Sequence, residues 1–310
     1  MSKIKNPFKQ GWKYWLRLLG VGIGGGLLLA AVGYEAIWID VMVRPARGTV
    51  CCGAPSDYGL DYEEVYFEGG DGLELYGWYI PSQNGAAVIL LHGYSADRRQ
   101  VTQRAVMLAE AGYGAFLYDL RGHGKSEGEV RSLGWADVAD VPYALAWLQA
   151  RPEVDPQKIG IFGFSVGGQI ALRAAPQLEG LRAVAVDDPG FVSAAKDAPP
   201  PPDFSERAYS VMNRIDTWGI SLRSGVPVPP GVTEVVGEIS PRPIFFIING
   251  PEDEFSSQLV EYIYTFAGEP KSYWRIPEAG HGGGPEKRPE EYAQRLVAFF
   301  NSTLLGAMGE

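Results

Sequence analysis

At 310 residues, with 46% apolar and 21% charged side chains, the chain has the composition of a globular protein and not of a disordered one. Its net charge of −10 argues against a nucleic-acid partner, because phosphate binding needs a basic face. Two Cys and three His exclude a disulfide scaffold and argue against a His/Cys metal cage; no metal and no cofactor is expected. The charge is unevenly spread. Lys3, Lys5, Lys9, Lys13 and Arg17 are the only charges in the first 17 residues; the remaining 293 carry 22 basic and 37 acidic side chains, a net −15.

Residues 18–34 form a run of 17 without a charge, which residues 36–39 resume after Glu35. As a helix the run rises roughly 26 Å, just under a hydrocarbon core of about 30 Å. Arg17, Tyr14, Trp15, Tyr34 and Trp38 suit the two interfaces. This pattern predicts a basic stub over 1–17, a transmembrane helix over 18–39 and a linker over 40–61. The positive-inside rule then puts the stub in the cytoplasm and the acidic body on the extracytoplasmic side, as a single-pass protein with membrane lipid as a partner. Two rival readings stand beside it. One is a cleaved signal peptide with Ala31-Val32-Gly33 as its site; the other is a soluble core helix, which its glycines would weaken. Cys51 and Cys52 follow; a bridge between neighbours is strained, so free thiols are expected.

From about residue 62 the pattern becomes that of an α/β protein. Residues 63–67 and 73–80 alternate around Gly69-Gly70-Asp71-Gly72 and predict a β-hairpin. Strands are expected at 87–91, 113–118, 158–162, 181–186, 243–248 and 272–276. Helices are expected at 97–111, 135–150, from 165, and 288–304. Continuous apolar strands between amphipathic helices imply a mostly parallel sheet with helices on both faces. Residues 191–241 break the rhythm with Pro199-Pro200-Pro201-Pro202, a second proline cluster, and a plausible helix at 204–218. So long a connection reads as a short lid or cap insertion. Phe191, Phe204, Tyr209, Met212 and Trp218 within it are as suited to lid packing as to lining an acyl site.

Gly163-Phe164-Ser165-Val166-Gly167 has the form G-x-S-x-G, entered by an apolar strand and left by an apolar helix. That context makes it a nucleophile elbow, a turn too tight for side chains at its glycines, with Ser165 as nucleophile. A serine needs a base, and the base needs an orienting carboxylate. His281 lies in a Gly-rich loop after the last strand, and Asp253 follows the IFFII strand, giving the chain order Ser165, Asp253, His281. Asp187 and Asp188, ending the preceding strand, are the alternatives for the acid. His92 and His123 precede the serine, the wrong order for the base. Backbone N–H groups of Val166 and Tyr94 are expected to form the oxyanion hole.

The segments ILLHGYSADR, YDLRGHGKSEG, GIFGFSVGG, IFFIINGPED and EAGHGG, over about residues 62–304, resemble the α/β-hydrolase superfamily. They look most like its branch of serine aminopeptidase-like and monoglyceride-lipase-like proteins. The resemblance implies an α/β-hydrolase domain over 62–304 and hydrolysis of a carboxylic ester or related acyl bond through an acyl-enzyme. The substrate it implies is a small acyl ester or lipid-like molecule. It also implies that the loop from Asp119 to Ser126, with His123, is structural. A peptidase or thioesterase using the same triad, or a non-catalytic membrane-tethered binding module, are the alternative functions.

Overall fold

The apolar runs of the body pair into one eight-stranded sheet in a computed structural model that describes residues 11–44, 47, 53–190, 197–199 and 204–306. Most of the basic stub, Cys51, Cys52, Phe191 and Pro200 to Pro202 lie outside the described residues. The strands are β1 (Glu63–Glu68), β2 (Glu74–Ile80), β3 (Ala87–Leu91), β4 (Gly114–Tyr118), β5 (Ile159–Phe164), β6 (Leu181–Asp187), β7 (Ile244–Asn249) and β8 (Lys271–Ile276). Their order is β1-β2-β4-β3-β5-β6-β7-β8. The hairpin partners β1 and β2, and β2 with β4, run antiparallel; every other pair is parallel.

The parallel strands inside the edge strand β8 are buried on both faces, and their alternate residues feed two separate cores. Ile89, Ile161, Val186 and Phe246 face one core with helices α3 (Val141–Gln149), α4 (Val166–Ala174) and α7 (Phe255–Phe266). Leu90, Phe162, Ala185 and Ile247 face the other with α2 (Thr102–Glu110) and α9 (Pro289–Phe300). Strand periodicity alone produces this division, since successive side chains point to opposite faces. The remaining helices are α1 (Gly11–Val43), α5 (Phe204–Ser224), α6 (Val232–Val235) and α8 (Gly284–Lys287).

Helix boundaries follow local chemistry. The segment expected as a helix over 97–111 opens with a 3-10 turn at Arg98–Val101, where the Asp97 carboxylate accepts the Arg99 N–H at 2.9 Å, and becomes α-helical only at Thr102. The segment expected over 135–150 likewise begins with a 3-10 turn, and its α-helix starts with Pro142 in the first turn. Helix α7 was not among the sequence expectations. Its apolar residues Leu259, Val260 and Ile263 are buried while Phe255 and Phe266 at its two ends are exposed, so its period shows only over two turns.

Helix α1 is longer than the 18–39 span at both ends. Residues Tyr14–Val43 are long and apolar enough to cross a membrane, a property shared with signal sequences. Leu19, Val21, Leu27, Leu28, Leu29 and Val32 are exposed, whereas Ile39, Met42 and Val43 are buried against Leu133, Trp135 and Ile220. The last turns of α1 therefore pack on the body. Beyond them Arg47 donates to the carbonyls of Gly124, Ser126 and Gly128 at 2.7–3.1 Å. Between Val226 and β7 the chain passes through α6, with Asp197 accepting from Thr233 N–H at 3.1 Å.

Strand register brings the carboxyl ends to one edge. Leu91 pairs with Gly163, Phe164 with Asp187, and Asn249 with Ile276. The loops that begin at His92, Ser165, Asp188 and Gly250, and the loop carrying His281, thus leave the same edge, where open α/β sheets hold their ligands.

Candidate active site

Ser165 stands between β5 and α4 with φ 53° and ψ −118°, a left-handed conformation that costs an L-residue energy and turns the side chain out of the sheet. The neighbouring glycines make the turn possible. A Cβ on Gly163 would overlap the carbonyl of Gly167, and one on Gly167 would overlap the carbonyl of Leu91. Ser165 Oγ lies 3.0 Å from His281 Nε2.

The other face of the imidazole meets Asp188, not Asp253. His281 Nδ1 is 3.4 Å from Asp188 Oδ2. Asp253, the expected acid, is exposed on the turn between Gly250 and Phe255, and no hydrogen bond or ion pair joins it to His281 among the described residues. The reason is local. Gly250 takes φ 112° directly after β7, the Glu254 N–H bonds back to the Pro251 carbonyl, and α7 starts at once, so the intervening carboxylates stay on the outside of the turn. Asp188, in contrast, is held in place at φ 44° by three donors. Its Oδ1 accepts the Asn249 N–H at 2.7 Å, and its Oδ2 accepts Asn249 Nδ2 at 2.7 Å and the Gly282 N–H at 2.9 Å.

Asp187 and Asp188 adjoin in sequence, but their charges are used differently. Asp187 is fully buried and is bound by Arg104 from α2 at 2.5 Å, by the Tyr292 hydroxyl at 2.6 Å and by Asn249 Nδ2 at 2.6 Å. Arg104 also donates to the Gly282 carbonyl at 2.8 Å, beside His281. Asp187 is thus paired with a buried guanidinium, and the carboxylate beside His281 is that of Asp188. The Asp188 hydrogen bond raises the His281 pKa above its ordinary 6.5; burial opposes this, and the negative charges of Asp188, Asp187 and Glu254 add to it. The two partners set the tautomer, with Nδ1–H toward Asp188 and the Nε2 lone pair toward the serine hydroxyl.

Arg104, Asn249 and Tyr292 escape a motif search because each comes from a different element. The one sequence signal is the Asp-Asp pair at a strand end, since two adjacent buried carboxylates need a cation nearby. Arg104→Met is expected to destabilise the fold by about 3–5 kcal/mol, because it strands the buried Asp187 charge. Urea unfolding of the two proteins measures this, and a loss below 1 kcal/mol contradicts it.

The loop after β3 lies against Ser165: a Cβ on Gly93 would stand 3.2 Å from Ser165 Cβ. His92 fixes this loop. Its Nδ1 donates to the Gly93 carbonyl at 2.7 Å and its Nε2 accepts the Leu120 N–H at 3.0 Å, which defines a neutral ring. Burial lowers its pKa accordingly. His123 is buried with its Nδ1 on the Arg121 carbonyl at 2.8 Å; burial and the neighbouring His92 bring its pKa to about 2. Neither ring reaches Ser165. Around them Asp119 accepts from the Arg98 and Lys125 N–H groups, and Arg121 pairs with Asp140 at 2.7 Å. Val166 is the first residue of α4, where an N–H has no carbonyl one turn earlier to accept it. The Tyr94 hydroxyl donates to the Met42 carbonyl at the end of α1.

In front of Ser165 lies a cavity of about 450 Å³. Its walls come from the sheet edge at Asp188, Pro189 and Gly190, from α7, from α5 and from Leu133. Of the residues weighed in the insertion, Met212 lines this cavity; Trp218 is exposed, and Phe191 and the side chains of Phe204 and Tyr209 lie outside the described residues. Among the described residues no cluster of three or more His, Cys, Asp or Glu could hold a metal ion.

A family model described as the alpha/beta hydrolase family matches residues 88–295. The chain is 30% identical over 221 residues to the uncharacterised protein Rv2307c of Mycobacterium tuberculosis, covering 70% of this chain and 72% of that one. It is 28% identical over 259 residues to the uncharacterised protein YfhR of Escherichia coli K12, covering 80% and 84%. Among solved structures, an esterase of Pyrococcus furiosus superposes with a TM-score of 0.67 at 24% identity, over 85% of this chain and 98% of that one, a likeness of fold. The sheet order, the strand–turn–helix at Ser165 and the matched model agree: this chain belongs to the alpha/beta hydrolase family.

Proposed function

We propose that the protein is a membrane-anchored serine hydrolase that cleaves carboxylic esters through an acyl-enzyme. The observation that carries this reading is the relay from Ser165 Oγ to His281 Nε2 at 3.0 Å and on from Nδ1 to Asp188. Ser165 Oγ attacks the ester carbonyl carbon while His281 Nε2 takes its proton. Negative charge on the carbonyl oxygen is met by the N–H groups of Val166 and Tyr94. When the intermediate collapses, the bond to the alcohol oxygen breaks and that oxygen receives the proton from Nε2. Water then repeats the sequence on the acyl-serine, with His281 again as base. Asp188 holds the Nδ1–H and stabilises the imidazolium; Asp253 takes no part.

In this reading α1 crosses the membrane with the basic N-terminal stub in the cytoplasm and the hydrolase domain on the other side. Residues 191–241 act as a lid, which is supported by α5 lining the cavity. The likeness to serine aminopeptidase-like and monoglyceride-lipase-like proteins is consistent with a small, apolar acyl substrate. The esterase names of the structural neighbours point the same way.

A fluorophosphonate probe tests the chemistry without a guess at substrate, because it reacts only with an activated serine. Labelling of the full-length protein in membranes is expected, with the adduct on the peptide containing Ser165. A protein that remains unlabelled at concentrations that saturate other serine hydrolases contradicts the reading.

A further inference from the structure

The end of the apolar helix α1 is part of the cavity at Ser165. Trp38 and Met42 line it, opposite residues of α5 and α7. This placement is built and not incidental. Ile39 sits so close to Gly219 of α5 that a methyl there would overlap it, and Asp40 accepts from Arg223 at 2.7 Å. The Val43 carbonyl accepts the Arg131 N–H at 2.8 Å, and the Met42 carbonyl accepts from the Tyr94 hydroxyl on the loop beside the nucleophile. Four contacts to three separate segments fix the last two turns of α1 on the catalytic edge.

The surfaces next to this wall are largely apolar, with Glu35 of α1 meeting Asp216 of α5. Helix α1 exposes apolar side chains through its length, and α5 exposes Val211, Ile215, Trp218 and Leu222, which recur every three or four residues and so share one face. Exposed apolar surface on this scale marks contact with a membrane or partner. A helix that can cross a bilayer and also walls the cavity sets the substrate entrance beside lipid. The cavity volume lies in the range that takes drug-sized ligands, roughly 300–1,000 Å³. On its α5 side Asp216 also lines it, which disfavours an anionic substrate.

We propose that the last two turns of α1 are a specificity element of the active site, with Trp38 and Met42 holding the acyl chain of an uncharged, membrane-resident ester. The proposal rests on the serine-hydrolase reading above. The acyl chain lies between α1 and α5, and its carbonyl reaches Ser165 at the inner end of the cavity.

The test measures kcat/KM of the full-length protein in phosphatidylcholine vesicles for p-nitrophenyl acetate and p-nitrophenyl dodecanoate. The ratio of dodecanoate to acetate is expected to fall by roughly ten- to a hundredfold in Trp38→Ala and in Met42→Ala, since each removes a large apolar contact to the long chain only. Leu28→Ala, in the exposed stretch of the same helix, keeps the wild-type ratio. Met42→Ala leaves the backbone carbonyl in place, so the bond to Tyr94 survives. An unchanged ratio in both cavity variants overturns the proposal. So does an equal fall in Leu28→Ala, which would assign the effect to the membrane and not the cavity wall. If the wild type turns over neither ester and takes no fluorophosphonate, the hydrolase reading fails first and this proposal with it.

Discussion

Replacing Ser165 by alanine is expected to lower ester turnover by about five to six orders of magnitude, to the residual rate that binding and oxyanion donors alone sustain. The size follows from the arrangement of the group. Ser165 Oγ is the hydroxyl at His281 Nε2, so without it the base has no proton to take and no covalent intermediate forms. The fold is expected to tolerate the change. Position 165 has φ 53° whichever L-residue occupies it, so serine and alanine bear the same backbone strain. Steady-state hydrolysis of p-nitrophenyl butyrate, alongside thermal unfolding, reads both quantities. A variant that retains a tenth of the wild-type rate excludes Ser165 as nucleophile.

Asp188→Asn is expected to lower kcat by about 10³–10⁴-fold, whereas Asp253→Asn changes it by no more than about twofold, as an exposed substitution does. The contrast decides which acid serves the base. The pH profile gives a second, independent reading. Catalysis needs neutral His281, so kcat/KM rises with pH as the imidazole loses its proton. The Asp188 hydrogen bond raises the His281 pKa, so the acid limb of the wild type has its midpoint above 6.5. Removing the Asp188 charge leaves burial as the dominant influence and moves the limb to lower pH in Asp188→Asn. In Asp253→Asn the limb stays where it is. The reverse pattern, with Asp253→Asn inactive and Asp188→Asn active, would restore Asp253 as the acid.

The meeting of Ser165 and His281 was legible because the signals at both residues are local. Gly163 and Gly167 flank a serine between an apolar strand and an apolar helix, and this forces a tight turn wherever the segment sits. His281 was legible by elimination among three histidines and by its place after the last strand. The sheet was legible because period-two burial is written into each strand, and the two cores follow from it. The carboxylate beside His281 was not legible in the same way. Chain order favours Asp253 and permits Asp188, and the choice turns on which carboxylate the loops carry inward. Gly250 and the immediate start of α7 keep Asp253 outside, while Asn249 and Gly282 supply donors that hold Asp188 at the imidazole.

The same division holds for the N-terminal helix. Its length, its apolar run and the basic residues before it are properties of the sequence alone, because crossing a membrane depends on composition along one helix. That Met42 lies in the wall of the Ser165 cavity and bonds to Tyr94 is a property of tertiary structure. It depends on Ile39 fitting against Gly219, about 180 residues away, and on Arg223 reaching Asp40. Periodicity and motif spacing report what a residue does to its neighbours in the chain. The pairing of Arg104 with Asp187, the placement of Asp188 beside His281 and the seating of α1 arise between distant segments, where only packing and the neutralisation of buried charge select the partner.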